Sequence, residues 1–391
     1  MARSADEIQL RNPNSGRFAH IDAMRAFAVM LVVVSHTGLR HIVPGGSGVT
    51  IFFCISGFII THLVLKEHAG SGGFDVGRFY LRRFLKLAPP FFLIVVVPTV
   101  IYSLWNPVRF TDFLAQVFFV FNWVDIAGNP RVLPGSTVVW SLAVEEQFYI
   151  GFALLWFWLV RSPKRLAWLA IIASAVAIAS LLMRIHITET AFSHDRTYFG
   201  TDTRMDGIAI GVLSAVIFFW LEQRSGRGAM LRRILGSDWI VVFAVGGYLF
   251  SLVYRDEYFR ETYRYSIQAM VAASLVVYGL IQKESWLRRL VQRVAELRPV
   301  QIVGLASYSI YLVHLSIYEL TSSLFAGWPK PLAVTALSVS GVAVGVIIWR
   351  FVELPVERFK KRQEAGRVAA CAVSPRVVRS VSLTATGGGS Q

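Results

Sequence analysis

Gly48-Val49-Thr50-Ile51-Phe52-Phe53-Cys54-Ile55-Ser56-Gly57-Phe58-Ile59-Ile60-Thr61-His62-Leu63-Val64-Leu65 runs for 18 residues without an Asp, Glu, Lys or Arg. A helix rises about 1.5 Å per residue and needs roughly 20 mostly apolar residues to cross the hydrocarbon core of a bilayer. Runs of this kind recur at 19–40, 48–65, 88–105, 139–160, 166–184, 204–221, 238–254, 263–282, 300–322 and 332–352. The pattern predicts an all-α integral membrane protein of about ten transmembrane helices. Thr111 to Trp123 is apolar but too short to span, so it reads as an interfacial or re-entrant piece of a long outer loop.

The rest of the chain fits this reading. It is 55% hydrophobic and 16% charged, with a mean hydropathy of +0.54. A soluble domain is nearer about 45–50% apolar and 25% charged. Lys and Arg (39) exceed Asp and Glu (24), for a net charge of +15. Such basicity can serve nucleic-acid binding. Here the positive charge lies between apolar segments, so topology explains it and no nucleic-acid partner is expected. Alternate inter-helix segments on one side hold 27 of the 39 cations and those on the other hold ten. By the positive-inside rule both termini are cytoplasmic and the protein is a multi-pass component of the cell (inner or plasma) membrane. Residues 1–18 then form a cytoplasmic segment and 19–360 the transmembrane domain. The Ala/Val/Ser/Thr/Gly-rich 361–391 forms a disordered cytoplasmic tail. No A-x-A-like cleavage site follows the first apolar run, which is expected to stay as the first helix. Cys54, in an apolar run, and Cys371, in the tail, are poor disulfide partners, and no metal-ligand spacing is present.

Ionisable residues inside spans are costly and point to function. In the first helix Arg25 and His36 are eleven residues apart, which puts them within about 20° of one face with a rise of about 16 Å. The bland alternative has Arg25 snorkelling beside Asp22 and His36 capping the helix. The loop after the second helix carries Arg78, Arg82, Arg83 and Lys86 before Pro89-Pro90, either as a positive-inside anchor or as a phosphate site. The fourth helix opens on Ser141-Leu142-Ala143-Val144-Glu145-Glu146-Gln147-Phe148-Tyr149. Adjacent residues point about 100° apart, and Glu145 shares a face with Ser141 and Tyr149. In the sixth, Gly207 and Gly211 form a small-xxx-small pair for close packing, and Arg204 with Asp206 reads as an interface pair. The ninth carries Ser307, Tyr311, His314 and Tyr318 as one polar stripe. That stripe must face protein or a water-filled cavity, as a substrate site or as a structural network.

The order of these motifs resembles the acyltransferase type 3 family. It runs Asp22-Ala23-Met24-Arg25, His36, Phe52 to Phe58, the basic cluster before Pro89, Ser141 to Tyr149, Ser307 to His314 and Glu353-Leu354-Pro355. The likeness covers about residues 18–360. It implies a ten-helix membrane enzyme that takes an acyl group, usually acetyl, from cytoplasmic acyl-CoA. The acceptor is a hydroxyl on a glycan, lipid-linked saccharide or small molecule. The family's arginine–histidine pair maps onto Arg25 and His36, and its basic motif onto Arg82, Arg83 and Lys86.

The chemistry asks for a base on the acceptor hydroxyl, a polarised thioester and a held donor. Imidazole titrates near neutrality without help, which makes His36 the base candidate, or else a transiently acylated relay. Glu145 is expected to orient His36, and Arg25 to hold the donor or its developing negative charge. Arg82, Arg83 and Lys86 are expected to bind CoA phosphates. The rival readings are a membrane transporter and a non-catalytic component of polysaccharide export. A transporter predicts repeats between halves, which the sequence does not display.

Overall fold

The computed structural model describes residues 18–71, 73–223, 228–281, 283–360 and 362–363. Cys371, most of the 361–391 tail and residues 1–17 of the expected cytoplasmic segment lie outside the described residues. Among those described the chain is helical, without strands. Seven helices are long and apolar enough to cross a membrane, and up to nine spans result if each of two bent pairs counts as one.

In chain order, α1 is Ala19–Val34, α2 Gly45–Ser71 and α3 Val76–Phe91, the last continuing through a π-turn at Phe92–Val96 to Tyr102. The long connection after it holds α4 (Phe110–Val117) and α5 (Phe121–Ala127). Then follow α6 (Val139–Leu159), α7 (Arg165–Thr190), α8 (His194–Phe199) and α9 (Thr201–Gln223). The last third holds α10 (Ala229–Leu235), α11 (Trp239–Val253), α12 (Glu257–Glu261) and α13 (Tyr263–Leu280). It closes with α14 (Trp286–Ala295), α15 (Arg298–Leu305), α16 (Ser307–Thr321) and α17 (Lys330–Ile348). Each of the ten segments expected from the sequence is helical. The eighth, α13, has 18 residues and is not among the spans counted by length and apolarity.

Three boundaries differ from the sequence reading, each for a visible reason. The third helix begins at Val76 rather than near 88, because the Asp75 side chain accepts from Arg78 N at 2.9 Å and caps it. The basic cluster therefore sits on a helix, not in a loop. The ninth span is broken, with α15 and the helix after it meeting at 75°. No proline causes this. Gly304 backs onto the main chain of Asp22, where a Cβ would collide with its carbonyl, so α15 tucks beneath α1. The first helix ends in a π-turn, Ser35–Leu39, closed by Gly38 at φ +89°. That is left-handed backbone, open to glycine without a Cβ penalty.

The second helix is the hub. Of its most apolar window 78% is buried, against 17% for α7 and 22% for the last span, which face outward toward lipid. It packs against α1, α9 and α13. The α2–α9 contact depends on small residues, as the Gly207/Gly211 spacing predicts. A Cβ on Gly211 would strike the Cys54 carbonyl, and one on Gly57 the Ile208 carbonyl. Asp206 does not pair with Arg204. Its carboxylate takes Arg184 of α7 at 2.7 Å and Ser266 of α13 at 2.6 Å. Arg204 instead lies 3.9 Å over the Tyr265 ring and donates to Thr50 Oγ1 at 3.0 Å. At about 100° per residue, Arg204 and Asp206, two positions apart, point about 160° away from each other. The α4–α5 loop is fastened to the bundle. Gln116 donates to Ser136, and Asn122 to Phe199 O and Thr201 Oγ1.

Candidate functional site

A cavity opens among α1, α2, α3, α6 and α16. It encloses about 760 Å³ of empty space, open solvent at its mouth included. Its apolar walls include Phe52, Phe53, Ile59 and Leu142, and its polar groups are Arg25, Ser56, Arg83, Lys86, Ser141, Glu145, Tyr149, Ser307, Tyr308 and Tyr311. A water-excluding site with a few convergent charges is the usual form of a small-molecule pocket.

Side-chain contacts decide which cations reach it. Lys86 is an i,i+3 neighbour of Arg83 and an i,i+4 neighbour of Arg82, so spacing on α3 alone does not choose between the two arginines. Arg83 and Lys86 line the cavity; Arg82 turns away and donates to Glu67 at 2.6 Å. The Arg83 guanidinium lies 3.2 Å over the Tyr149 ring and 3.5 Å from Glu146. Lys86 is exposed to the cavity, in the field of Arg25 and Arg83 on the positive side and Glu353 and Glu357 on the negative. The Ser309 hydroxyl donates to Glu353 at 2.5 Å, fixing that carboxylate near the cluster.

The predicted face of α6 is realised: Ser141, Glu145 and Tyr149 all border the cavity. Glu145 accepts from Tyr149 Oη at 2.8 Å and from Ser56. The structure thus gathers Glu145 with Arg25, Arg83 and Lys86, and not with His36, which the sequence reading had it orient. Ser307, at the α15–α16 break, lines the cavity and is otherwise fully buried, its Oγ without a hydrogen-bond partner. Tyr311 Oη meets Ser141 Oγ at 2.7 Å and donates to Val138 O at 3.1 Å.

The polar stripe of the ninth span divides at Tyr311. Its ring forms the cavity wall and, on the other side, lies 5.8 Å from the His314 ring. His314 is buried, with Nε2 3.3 Å from His36 Nδ1. His36 itself is exposed, in the π-turn that ends the first span. Its Nδ1 is 2.9 Å from Val32 O. A carbonyl can only accept, so His36 Nδ1 carries the proton and Nε2 keeps its lone pair. Among the described residues no three His, Cys, Asp or Glu side chains gather as a metal site.

Sequence reasoning singled out no role for Ser56, Glu146 or Tyr308, and missed the pairing of His36 with His314. Ser56 and Tyr308 lay within the motifs Phe52 to Phe58 and Ser307 to His314, and Glu146 was half of an acidic dipeptide. The histidine pairing has no signal until the bundle closes.

With this geometry in place, comparison with known proteins is informative. A family model described as an acyltransferase domain matches residues 18–350. The chain is 28% identical over 353 residues to putative O-acetyltransferase SACOL0978 of Staphylococcus aureus (strain COL), covering 86% of this chain and 57% of that protein. It is 27% identical over 352 residues to O-acetyltransferase OatA of Staphylococcus aureus (strain NCTC 8325 / PS 47), with the same shares. The chain thus spans little more than half the length of these relatives. No solved structure matches it.

Proposed function

This chain belongs to the acyltransferase family, and on that premise we propose that it moves an acyl group, acetyl in the simplest case, from acyl-CoA to a hydroxyl. The acceptor class is a glycan, a lipid-linked saccharide or a similar hydroxyl-bearing molecule. The activity for which the relatives are named, O-acetyl transfer, supports the acyl group and the oxygen acceptor. Donor binding falls to the cavity, with Lys86 and Arg83 at the CoA phosphates and Arg25 near the thioester. Arg82 drops out of that role because it faces Glu67. The donor side is the side of both termini, in the cytoplasm, with the protein in the cell membrane.

The observation that carries the mechanism is His36 Nε2, on an exposed side chain and left with its lone pair by the Nδ1–H bond to Val32 O. In the reaction His36 Nε2 takes the proton from the acceptor hydroxyl. The oxygen attacks the thioester carbonyl carbon, and the C–S bond breaks as the tetrahedral intermediate collapses. The departing sulfur takes the proton back from Nε2 and leaves as the thiol. Base and acid are then one group, acting in turn. Arg25, borne about 16 Å along the same helix, has the reach to hold the donor while its thioester extends toward His36.

The test uses purified protein and sealed membrane vesicles with labelled acetyl-CoA. Inside-out vesicles should transfer label to an acceptor, and right-side-out vesicles should not. His36→Gln keeps a polar side chain but cannot take the proton, and should lower transfer by about 10²–10⁴-fold. A near-native rate in His36→Gln removes His36 from the chemistry; label transfer in right-side-out vesicles alone reverses the topology. Mass spectrometry of surface glycans and secreted metabolites, with and without the gene, identifies the acceptor.

A further inference from the structure

His314 lies beside His36, and it is set in place from three directions. Gly341 of α17 lies so close that a Cβ there would stand 3.3 Å from the His314 Cβ. Its own Nδ1 is 2.7 Å from Tyr311 O and 3.2 Å from Ile310 O. Both partners are carbonyls, which only accept, so Nδ1 carries the proton and Nε2 presents a lone pair. That lone pair faces His36 Nδ1 at 3.3 Å, with the two rings tilted by 55°.

We propose that His314 is a positioning residue for the reaction: its Nε2 and Val32 O together receive the one Nδ1–H of His36. The inference rests on His36 being the base. Two acceptors on one N–H do what neither does alone. Turning the His36 ring over would put carbon where nitrogen stands and forfeit both bonds, so the ring keeps Nε2 outward. When Nε2 takes the acceptor proton, the ring becomes a cation whose Nδ1–H already points at two electron-rich atoms. Hydrogen bonds to charged groups are roughly twice as strong as neutral ones, so this support grows as the charge develops. The pair does not conduct the proton away. The far nitrogen of His314 ends on two carbonyls, which cannot pass a proton on. The proton therefore stays on His36 until the sulfur leaves, as the base-then-acid sequence requires. Tyr311 adds a link to the donor. One face of it borders the cavity and its carbonyl holds His314, so the donor site and the histidine pair share a single helical turn.

The test compares His314→Leu, which accepts nothing, with His314→Gln, whose side-chain oxygen accepts, in protein shown to be monodisperse and inserted. His314→Leu should lower kcat by about 10- to 100-fold while KM for acetyl-CoA stays within about twofold. His314→Gln should recover most of that loss. Added to His36→Gln, His314→Leu should cost nothing further, since its effect runs through His36. If His314→Leu does not fold, His314→Met against His314→Gln makes the same comparison. A native kcat in His314→Leu beside an inactive His36→Gln overturns this inference alone. So does a His314→Gln rate no better than that of His314→Leu. A native rate in His36→Gln overturns this inference and the reading beneath it together.

Discussion

Replacing Lys86 by Gln separates donor binding from folding better than any change to its neighbours. Lys86 is exposed to the cavity and shares the helix face of Arg83. Removing its charge relieves crowding with Arg25 and Arg83, while Arg25 stays beside Glu353. A hydrogen bond to a charged group is worth about 1.5–3 kcal/mol. At about 1.4 kcal/mol per decade, Lys86→Gln should weaken acetyl-CoA binding about 10- to 150-fold. Arg82 is the control, one residue from Arg83 and four from Lys86 but held by Glu67 and outside the cavity lining. Its pair with Glu67 has side chains 28% and 20% exposed, and such pairs contribute about 0–1 kcal/mol. Arg82→Gln should change donor affinity less than about fivefold. Arg83→Gln is a poorer probe. It strips Glu146 and the Tyr149 ring of their cation, and breaking a buried pair costs about 3–5 kcal/mol of stability. The assay is equilibrium binding of labelled acetyl-CoA to protein in lipid nanodiscs, with thermal unfolding as the folding check. Equal losses in Arg82→Gln and Lys86→Gln would refute the exclusion of Arg82 from the donor site. A Lys86→Gln affinity within twofold of native would refute phosphate binding at this cluster.

Two further predictions bear on the fold. Gly211→Leu forces α2 and α9 apart where the Cys54 carbonyl sits, so the protein should lose its monodisperse peak in size-exclusion chromatography; a folded, active variant would contradict the close-packed seam. On α5, burial and the neighbouring Asp195 charge push Asp125 from 3.8 up to about 7. A raised acid stabilises the fold fully below about pH 4 and loses that contribution as pH rises through about 7. Asp125→Asn should therefore raise the melting temperature at pH 8 and leave it nearly unchanged at pH 4, measured by differential scanning fluorimetry; equal shifts at both would show that Asp125 titrates normally.

The helical, membrane-spanning character of this chain was legible in its sequence because hydropathy is a local property. Eighteen residues such as Gly48 to Leu65 declare themselves without reference to the rest of the chain. The spacing of Ser141, Glu145 and Tyr149, and of Gly207 and Gly211, was legible for the same reason, since helical periodicity converts spacing into a shared face. What lies on a face is local; what the face meets is not. The turn at Ala306, the parting of Arg82 from Arg83 and the exchange of Asp206 from Arg204 to Arg184 each depend on a helix distant in sequence. The pairing of His36 with His314 joins residues 278 apart, and no pattern within either helix encodes it. Lipid makes such choices decisive. With no water to satisfy a buried polar group, each must find its partner on another helix, and only the closed bundle determines which.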